Sequence, residues 1–125
     1  MASIEATLGN TVKSFPALDS TRSQKVKSKI RRILIQTVKE VLKRLEIRGK
    51  DYNDQTGKLR SSWRMKRLRG YRYEVSNRTK YASFIEYGTR YITPRRMLRR
   101  EMANGRARLR RRLRRLNDKV LRNQV

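Results

Sequence analysis

Apolar residues recur at every third or fourth position between Val26 and Leu45. This is the spacing of one face of an α-helix, and it predicts a long helix over about residues 20–47. Asp19 or Ser20 is the expected N-cap, because a short side-chain oxygen can accept a hydrogen bond from an unpaired helical N–H. Gly49 is the expected stop. The positions of the stripe are Val26, Ile30, Ile33, Thr37, Val41 and Leu45, widened by Leu34, Val38 and Leu42.

The segment before this helix shows only weak periodicity, which Gly9 and Pro16 interrupt. We interpret residues 1–19 as an N-terminal arm with at most a short helical piece. A disordered terminus is the alternative. Residues 20–125 contain no internal repeat, so they predict a single domain.

The pattern then changes to alternation. Trp63 and Met65 share one face of residues 59–68, and a glycine-containing turn separates them from a second alternating segment, residues 71–76. A period of two is that of a β-strand. The two segments therefore predict an antiparallel hairpin.

Helical spacing returns in the last third of the chain. Residues 80–87 predict a short helix that ends at Gly88, with a strand as the alternative, and residues 91–92 predict a brief strand. Residues 94–123 predict a C-terminal helix, since Thr93 can serve as N-cap and Pro94 needs no N–H at the first helical position. The Asn104-Gly105 pair is expected to kink or break this helix. Its apolar stripe consists of Leu98, Met102, Leu109, Leu113, Leu116 and Val120.

Charge and missing residue types narrow the function. The 125 residues include 35 Lys and Arg against 10 Asp and Glu, a formal net charge of +25, with no Cys and no His. Cys- and His-based zinc sites, Cys–His and Ser–His nucleophile pairs and disulfides are therefore excluded. We expect neither a membrane span nor a signal peptide. Only 36% of the residues are hydrophobic, so the core is expected to be thin and some apolar surface to be shared with partner subunits.

Basic residues are concentrated near the C-terminus. Residues 92–125 contain thirteen basic and two acidic residues, a net charge of +11. Arg suits phosphate because its planar guanidinium donates paired hydrogen bonds. A solvated helix face, or pairing with an acidic protein, is the alternative. The candidates for contact with DNA or an acidic partner are Arg95, Arg96, Arg99, Arg100, Arg106, Arg108, Arg110, Arg111, Arg112, Arg114 and Arg115.

Acidic residues are too few and too scattered to predict a catalytic site. Glu40 precedes Arg44 by four positions, the spacing of a helix ion pair. Asp51 and Asp54 form a lone DxxD, a weak indication of a cation site, and no glycine-rich phosphate loop is present. We therefore expect no enzyme activity, no metal and no cofactor. A magnesium-dependent nuclease built from carboxylates is the remaining enzymatic alternative.

Three motifs follow one another in the second half of the chain. They read TGKLRSSW at residues 56–63, Asn77 followed by YASFIEYGTR at residues 81–90, and PRRML at residues 94–98. In pattern and order they resemble the TGxLRxS segment, the N…YAxxxExGT signature and the proline-led last helix of the tail-completion, or head–tail joining, proteins of long-tailed bacteriophages. The motif residues are Thr56, Gly57, Leu59, Ser62, Tyr81, Ala82, Glu86, Gly88, Thr89 and Pro94.

The resemblance implies an α/β (α+β) subunit, in which a long N-terminal helix packs on a small antiparallel sheet and a C-terminal helix follows. It implies a non-enzymatic virion protein of the phage neck, which assembles in the host cytoplasm. Such proteins form a ring, commonly of six copies, between a head-side connector or stopper ring and a tail terminator or tail tube. Genomic DNA passes through the ring at ejection. The alternative is a general nucleic-acid-binding basic protein, which composition alone favours.

Overall fold

The computed structural model describes residues 4–49 and 58–125, and it has the predicted mixed architecture of long helices and a small antiparallel sheet. Residues Asp51, Asp54, Thr56 and Gly57, for which the sequence suggests a cation site and a family motif, lie outside the described residues. The elements in chain order are strand β1 (Ile4–Leu8), a 3-10 turn (Asn10–Ser14), helix α1 (Pro16–Asp19), helix α2 (Gln24–Gly49), helix α3 (Lys58–Ser61), strand β2 (Trp63–Arg67), strand β3 (Tyr73–Asn77), helix α4 (Lys80–Tyr87) and helix α5 (Met97–Leu121).

The sheet has the strand order β1-β3-β2, and both neighbouring pairs are antiparallel. The predicted hairpin of β2 and β3 is confirmed, although the chain first forms one helical turn, α3, where the strand was expected to begin. In the central row of the sheet, Val75 lies between Ala6 and Met65. The face that includes Val75 and Trp63 is buried and packs against α2.

The interpretation of residues 1–19 as an arm is wrong for the described part of that segment. Strand β1 pairs with β3 along its whole length, and Leu8, Val12 and Leu18 are buried in the core. Gly9 leaves the strand at a φ of 121°, and a Cβ on it would lie only 1.9 Å from the backbone oxygen of Tyr71. Glycine is therefore needed at this turn, where the sequence pattern suggested only an interruption.

Helix α2 is confirmed with shifted ends. The expected caps are not used, because the hydroxyl of Ser20 donates to the carbonyl oxygen of Pro16 at 2.6 Å. The hydroxyl of Ser23 instead accepts a hydrogen bond from the Val26 N–H at 3.4 Å, just before the helix begins at Gln24. The fully buried side chains of the helix are Ile30, Leu34, Thr37, Val38, Val41 and Leu45.

Helix α5 is one continuous helix, so the predicted break at Gly105 is wrong. Gly105 is buried, and a Cβ there would lie 2.7 Å from Cγ2 of Val41. Its role is to bring α5 close to α2, whose contact with α5 is the most extensive between any two described helices. The start also differs from the prediction, since α5 begins at Met97 after Arg96, which has a left-handed φ of 50°.

The connection before α5 is a turn and contains no strand. The Thr89 hydroxyl accepts hydrogen bonds from the N–H groups of Tyr91 and Ile92, both at 3.1 Å. The Thr89 N–H in turn donates to the carbonyl oxygen of Ile92 at 2.9 Å. The strand expected at residues 91–92 is therefore replaced by a closed loop between α4 and α5.

We expect Gly105→Ala to destabilise the protein by about 1 kcal/mol, although Ala is intrinsically the better helix former. The added methyl group would meet Val41, which is fully buried and cannot move away. Urea unfolding would measure the change. In a Val41→Ala background the same substitution should be neutral or stabilising. An increased unfolding midpoint for Gly105→Ala alone would contradict the close approach.

Candidate functional site

The candidate arginines of α5 surround a buried apolar stripe. Leu109, Leu113 and Leu116 face the core, and each buried leucine contributes about 1.5–3 kcal/mol of hydrophobic stabilisation. Because every buried position lies on one side of the helix, the intervening arginines must point elsewhere. The exposed arginines of α5 are Arg99, Arg100, Arg106, Arg110, Arg111, Arg114 and Arg115. They are distributed over a helix about 36 Å long.

Two of the candidate arginines are held inside the subunit. Arg112 donates from Nη2 to both carboxylate oxygens of Glu40, at 2.9 and 3.0 Å, and from Nη1 to the Thr37 hydroxyl at 2.8 Å. The Nε of Arg108 lies 3.3 Å from Oε2 of Glu40. Arg108 and Arg112 are therefore partly buried between α2 and α5, and they are less available to an outside anion than the exposed arginines.

Glu40 is the acidic centre of this contact. The hydrogen bond from Arg112, and the charges of Arg112, Arg108 and Arg44, hold the pKa of the Glu40 carboxyl below its ordinary value, against an opposing effect of burial. The pKa of Arg108 is lowered by burial and by the charges of Arg44 and Arg112, against the opposing effect of Glu40 and Glu101. The sequence predicted that Glu40 would pair with Arg44 on the same helix. The carboxylate instead bonds across to α5, with Arg44 as a neighbouring charge.

A buried carboxylate fixes the start of α5. Glu86 accepts a hydrogen bond from the Leu98 N–H on Oε2 at 2.8 Å and one from the Arg99 N–H on Oε1 at 3.0 Å. It is 3% exposed. A negative charge at a helix N-terminus is favourable because the unpaired N–H groups and the helix dipole both point to it. Glu86 thus performs the capping role that the sequence assigned to Thr93.

The other residues of the same motif build the loop around this cap. Gly88 ends α4 with a φ of 77°, and a Cβ on it would lie 2.6 Å from Cγ of Pro94. The N–H groups of Arg95 and Arg96 donate to the carbonyl oxygens of Ile85 and Glu86. Glycine and proline therefore pack directly on each other, and the loop is anchored at both ends.

Asn77 connects the two motifs that precede the loop. Its Nδ2 donates to the carbonyl oxygen of Leu59 at 2.9 Å, and its Oδ1 accepts from the N–H and the hydroxyl of Thr79, at 3.0 and 2.7 Å. Leu59 and Ala82 are buried, Ser62 is half-buried and Tyr81 is exposed. The described motif residues therefore act mainly as internal supports for α3, α4 and the following loop.

Two exposed tyrosines next to this loop were not singled out from the sequence. Tyr87 is 67% exposed and Tyr91 is 89% exposed. The guanidinium of Arg90 lies 5.9 Å from the ring centroid of Tyr91. Tyrosine and arginine are enriched in protein interfaces. The signal in the sequence is that neither tyrosine belongs to an apolar stripe, although Tyr87 lies within the motif at residues 81–90 and Tyr91 directly follows it.

Within residues 4–49 and 58–125, no helix is both long and apolar enough to cross a membrane, and no group of three or more acidic side chains could hold a metal ion.

Comparison with known proteins identifies a family. Residues 16–88, more than half of the chain, match the family model described as "Bacteriophage HK97-gp10, putative tail-component". The matched region includes α1 to α4, β2 and β3, and it ends at Gly88, before α5. No curated protein and no solved structure matches the chain.

We expect Glu40→Gln to lower the free energy of unfolding by about 1 kcal/mol at neutral pH, since the Glu40 side chain is still 33% exposed and solvent weakens its ion pairs. The pKa of the carboxyl is lowered by folding, so its contribution is present above the ordinary value of 4.5 and is lost as the pH falls through the lower folded value. Urea unfolding at several pH values would measure the difference between variant and parent.

The control for this experiment is Glu46→Gln, which removes an exposed carboxylate from the same helix. Its effect on stability should be small at every pH. A Glu40→Gln effect that stayed constant from neutral to strongly acidic pH would show that the ionised carboxylate is not what holds α5.

We expect Glu86→Gln to loosen the first turn of α5 and to cost about 1–3 kcal/mol, because an amide provides no charge and only one acceptor oxygen. Hydrogen exchange of the Leu98 and Arg99 amides should accelerate. The amides of Leu109 and Leu113, deeper in the same helix, provide the internal reference. Uniform acceleration along α5, or none, would contradict a local capping role.

Proposed function

The chain belongs to the HK97-gp10-like family of bacteriophage tail components, and we propose that it forms a closed ring in the neck of the particle, where the head joins the tail. Its neighbours in this proposal are a head-side connector or stopper ring and a tail terminator or tail tube. The role is structural and not enzymatic. The observation that supports it best is the family match together with the rigid loop that follows it.

The loop between α4 and α5 supports self-association. Glu86, Gly88 and Pro94 hold the loop in one conformation, and Tyr87 and Tyr91 project from it. A rigid aromatic surface loses little conformational entropy when it binds. In a closed ring each subunit uses two different surfaces, so one copy of this loop would contact a different patch on the next subunit.

The exposed arginines of α5 support proximity to DNA. Seven arginines point to solvent from one helix, whereas the acidic residues that could neutralise them are scarce. Duplex DNA presents one negative charge for about every 1.7 Å of its axis, and such contacts need no base sequence. We propose that α5 lies along the channel, where the genome passes through a ring of six subunits.

Two of the carboxylates that the structure describes have structural tasks. Glu40 binds Arg112, and Glu86 binds two backbone N–H groups. A ring that only guides DNA needs no catalytic group. These contacts support the non-enzymatic role over a carboxylate-dependent nuclease.

We expect the purified chain to assemble into a ring of about 90 kDa, six copies of 15.0 kDa. Because the loop provides the contact, Tyr87→Ala with Tyr91→Ala should yield folded monomers. Native mass spectrometry and light scattering would measure the mass, and circular dichroism would verify the fold. Leu121→Ala, which removes another exposed apolar side chain, is the control and should still form the ring.

A parent chain that remained monomeric at every concentration and bound RNA tightly would favour a general nucleic-acid-binding protein. In the phage, loss of the protein should leave filled heads and separate tails that electron microscopy can count. Normally joined particles would contradict the neck role.

A further inference from the structure

The sheet has a second face that the helices α2 and α5 do not cover. Strands β2 and β3 turn alternate side chains to opposite sides. Trp63 and Val75 are buried on the side of α2. Glu5 and Thr7 of β1 share the outer face with four side chains of β2 and β3, which are Arg64, Lys66, Glu74 and Ser76. Together with residues 78–81 at the start of α4, the side chains of β2 and β3 line an open groove of about 720 Å³.

The groove is basic. Arg64, Lys66, Arg78 and Lys80 surround one carboxylate, that of Glu74, so the formal charge of its lining is +3. Lys66 and Glu74 are directly paired across the two strands. The rest of the lining consists of the hydroxyl-bearing side chains of Ser62, Ser76 and Thr79 and the exposed ring of Tyr81.

One of the cations is held in position. Nη1 of Arg64 donates to the carbonyl oxygens of Ser61 and Trp63, at 2.6 and 3.0 Å. The Nζ of Lys80 lies 5.9 Å from the ring centroid of Phe84. A guanidinium that is already fixed loses little entropy when an anion binds to it. The groove is therefore better organised than a random group of surface charges.

We infer that this groove, here called the sheet groove, binds an acidic protein segment, and that it works independently of the arginines of α5. The carboxylate of Glu74 lies among the cations, which disfavours a continuous run of phosphates. A peptide can place its carboxylates on the cations and its N–H groups near Glu74. Hydroxyls and an exposed tyrosine are also suited to peptide recognition.

The position of the groove separates it from the DNA-facing surface that we propose. It lies on β2, β3 and the start of α4, whereas α5 packs along α2 and contacts the sheet mainly through the edge strand β1. All lining residues of the groove also fall within the family-matched residues 16–88, and the α5 arginines do not.

The test compares two variants of the full chain with equal charge change. The groove variant carries Lys66→Gln, Arg78→Gln and Lys80→Gln. The helix variant carries Arg110→Gln, Arg111→Gln and Arg114→Gln, all exposed in α5. Fluorescence anisotropy measures the binding of a labelled all-glutamate peptide and of a labelled short DNA duplex, at the same salt concentration. Circular dichroism melting verifies that both variants are folded.

We expect the groove variant to bind the glutamate peptide about tenfold more weakly and the duplex within about twofold of the parent, and the helix variant to show the reverse. Equal losses in both variants would overturn the inference, since the groove cations would then act only as bulk charge or as protection of the β2 edge. A groove variant that lost only duplex binding would overturn it in favour of a nucleic-acid site. A third variant, Glu74→Gln, removes the carboxylate from the groove. The increase in duplex binding that it causes should be smaller than the decrease in peptide binding that the groove variant causes.

Discussion

The structure depends on the apolar contact between two strongly basic helices. Helices α2 and α5 repel each other through their charges, and one stripe of buried side chains on each helix opposes this repulsion. Gly105 of α5 has no side chain, so α5 can approach α2 closely at Val41 and the two apolar stripes can pack against each other. At the border of the contact, Glu40 pairs with Arg108 and Arg112 and offsets part of the repulsion between these two guanidinium groups. The remaining arginines of α5 are turned outward as a consequence.

The family motif serves this arrangement from the other end of α5. Asn77 ties α3 to the start of α4, and Glu86 ties the end of α4 to the start of α5. Gly88 and Pro94 pack against each other between these points. Each motif residue therefore supports the next element, and the surfaces that they expose are positioned by contacts inside the subunit. The motif can therefore constrain the sequence strongly without forming a chemical site.

Two separate groups of basic residues on one small subunit suit a protein that has more than one neighbour. In our proposals the arginines of α5 face the genome, and the sheet groove faces an acidic segment of another protein. The family-matched part of the chain holds the sheet groove and the motif residues up to Gly88, whereas Thr89, Pro94 and the strongest charge lie beyond it. Binding between proteins would then be the shared part of the function. The extent of the DNA contact would be particular to chains with such an arginine-rich last helix.

Local periodicity by itself determined α2, the β2–β3 hairpin, α4 and α5, because the repeat of apolar positions that marks each element lies within one continuous segment of the chain. It also determined the exclusion of Cys and His chemistry. The fold decided what depends on residues far apart in the chain. Strand β1 pairs with β3 some seventy positions later, Glu86 caps a helix twelve positions later, and Glu40 binds an arginine 72 positions away. A short strand without its partner and a carboxylate without its helix carry no local pattern, since their stabilising contacts exist only after the chain has folded.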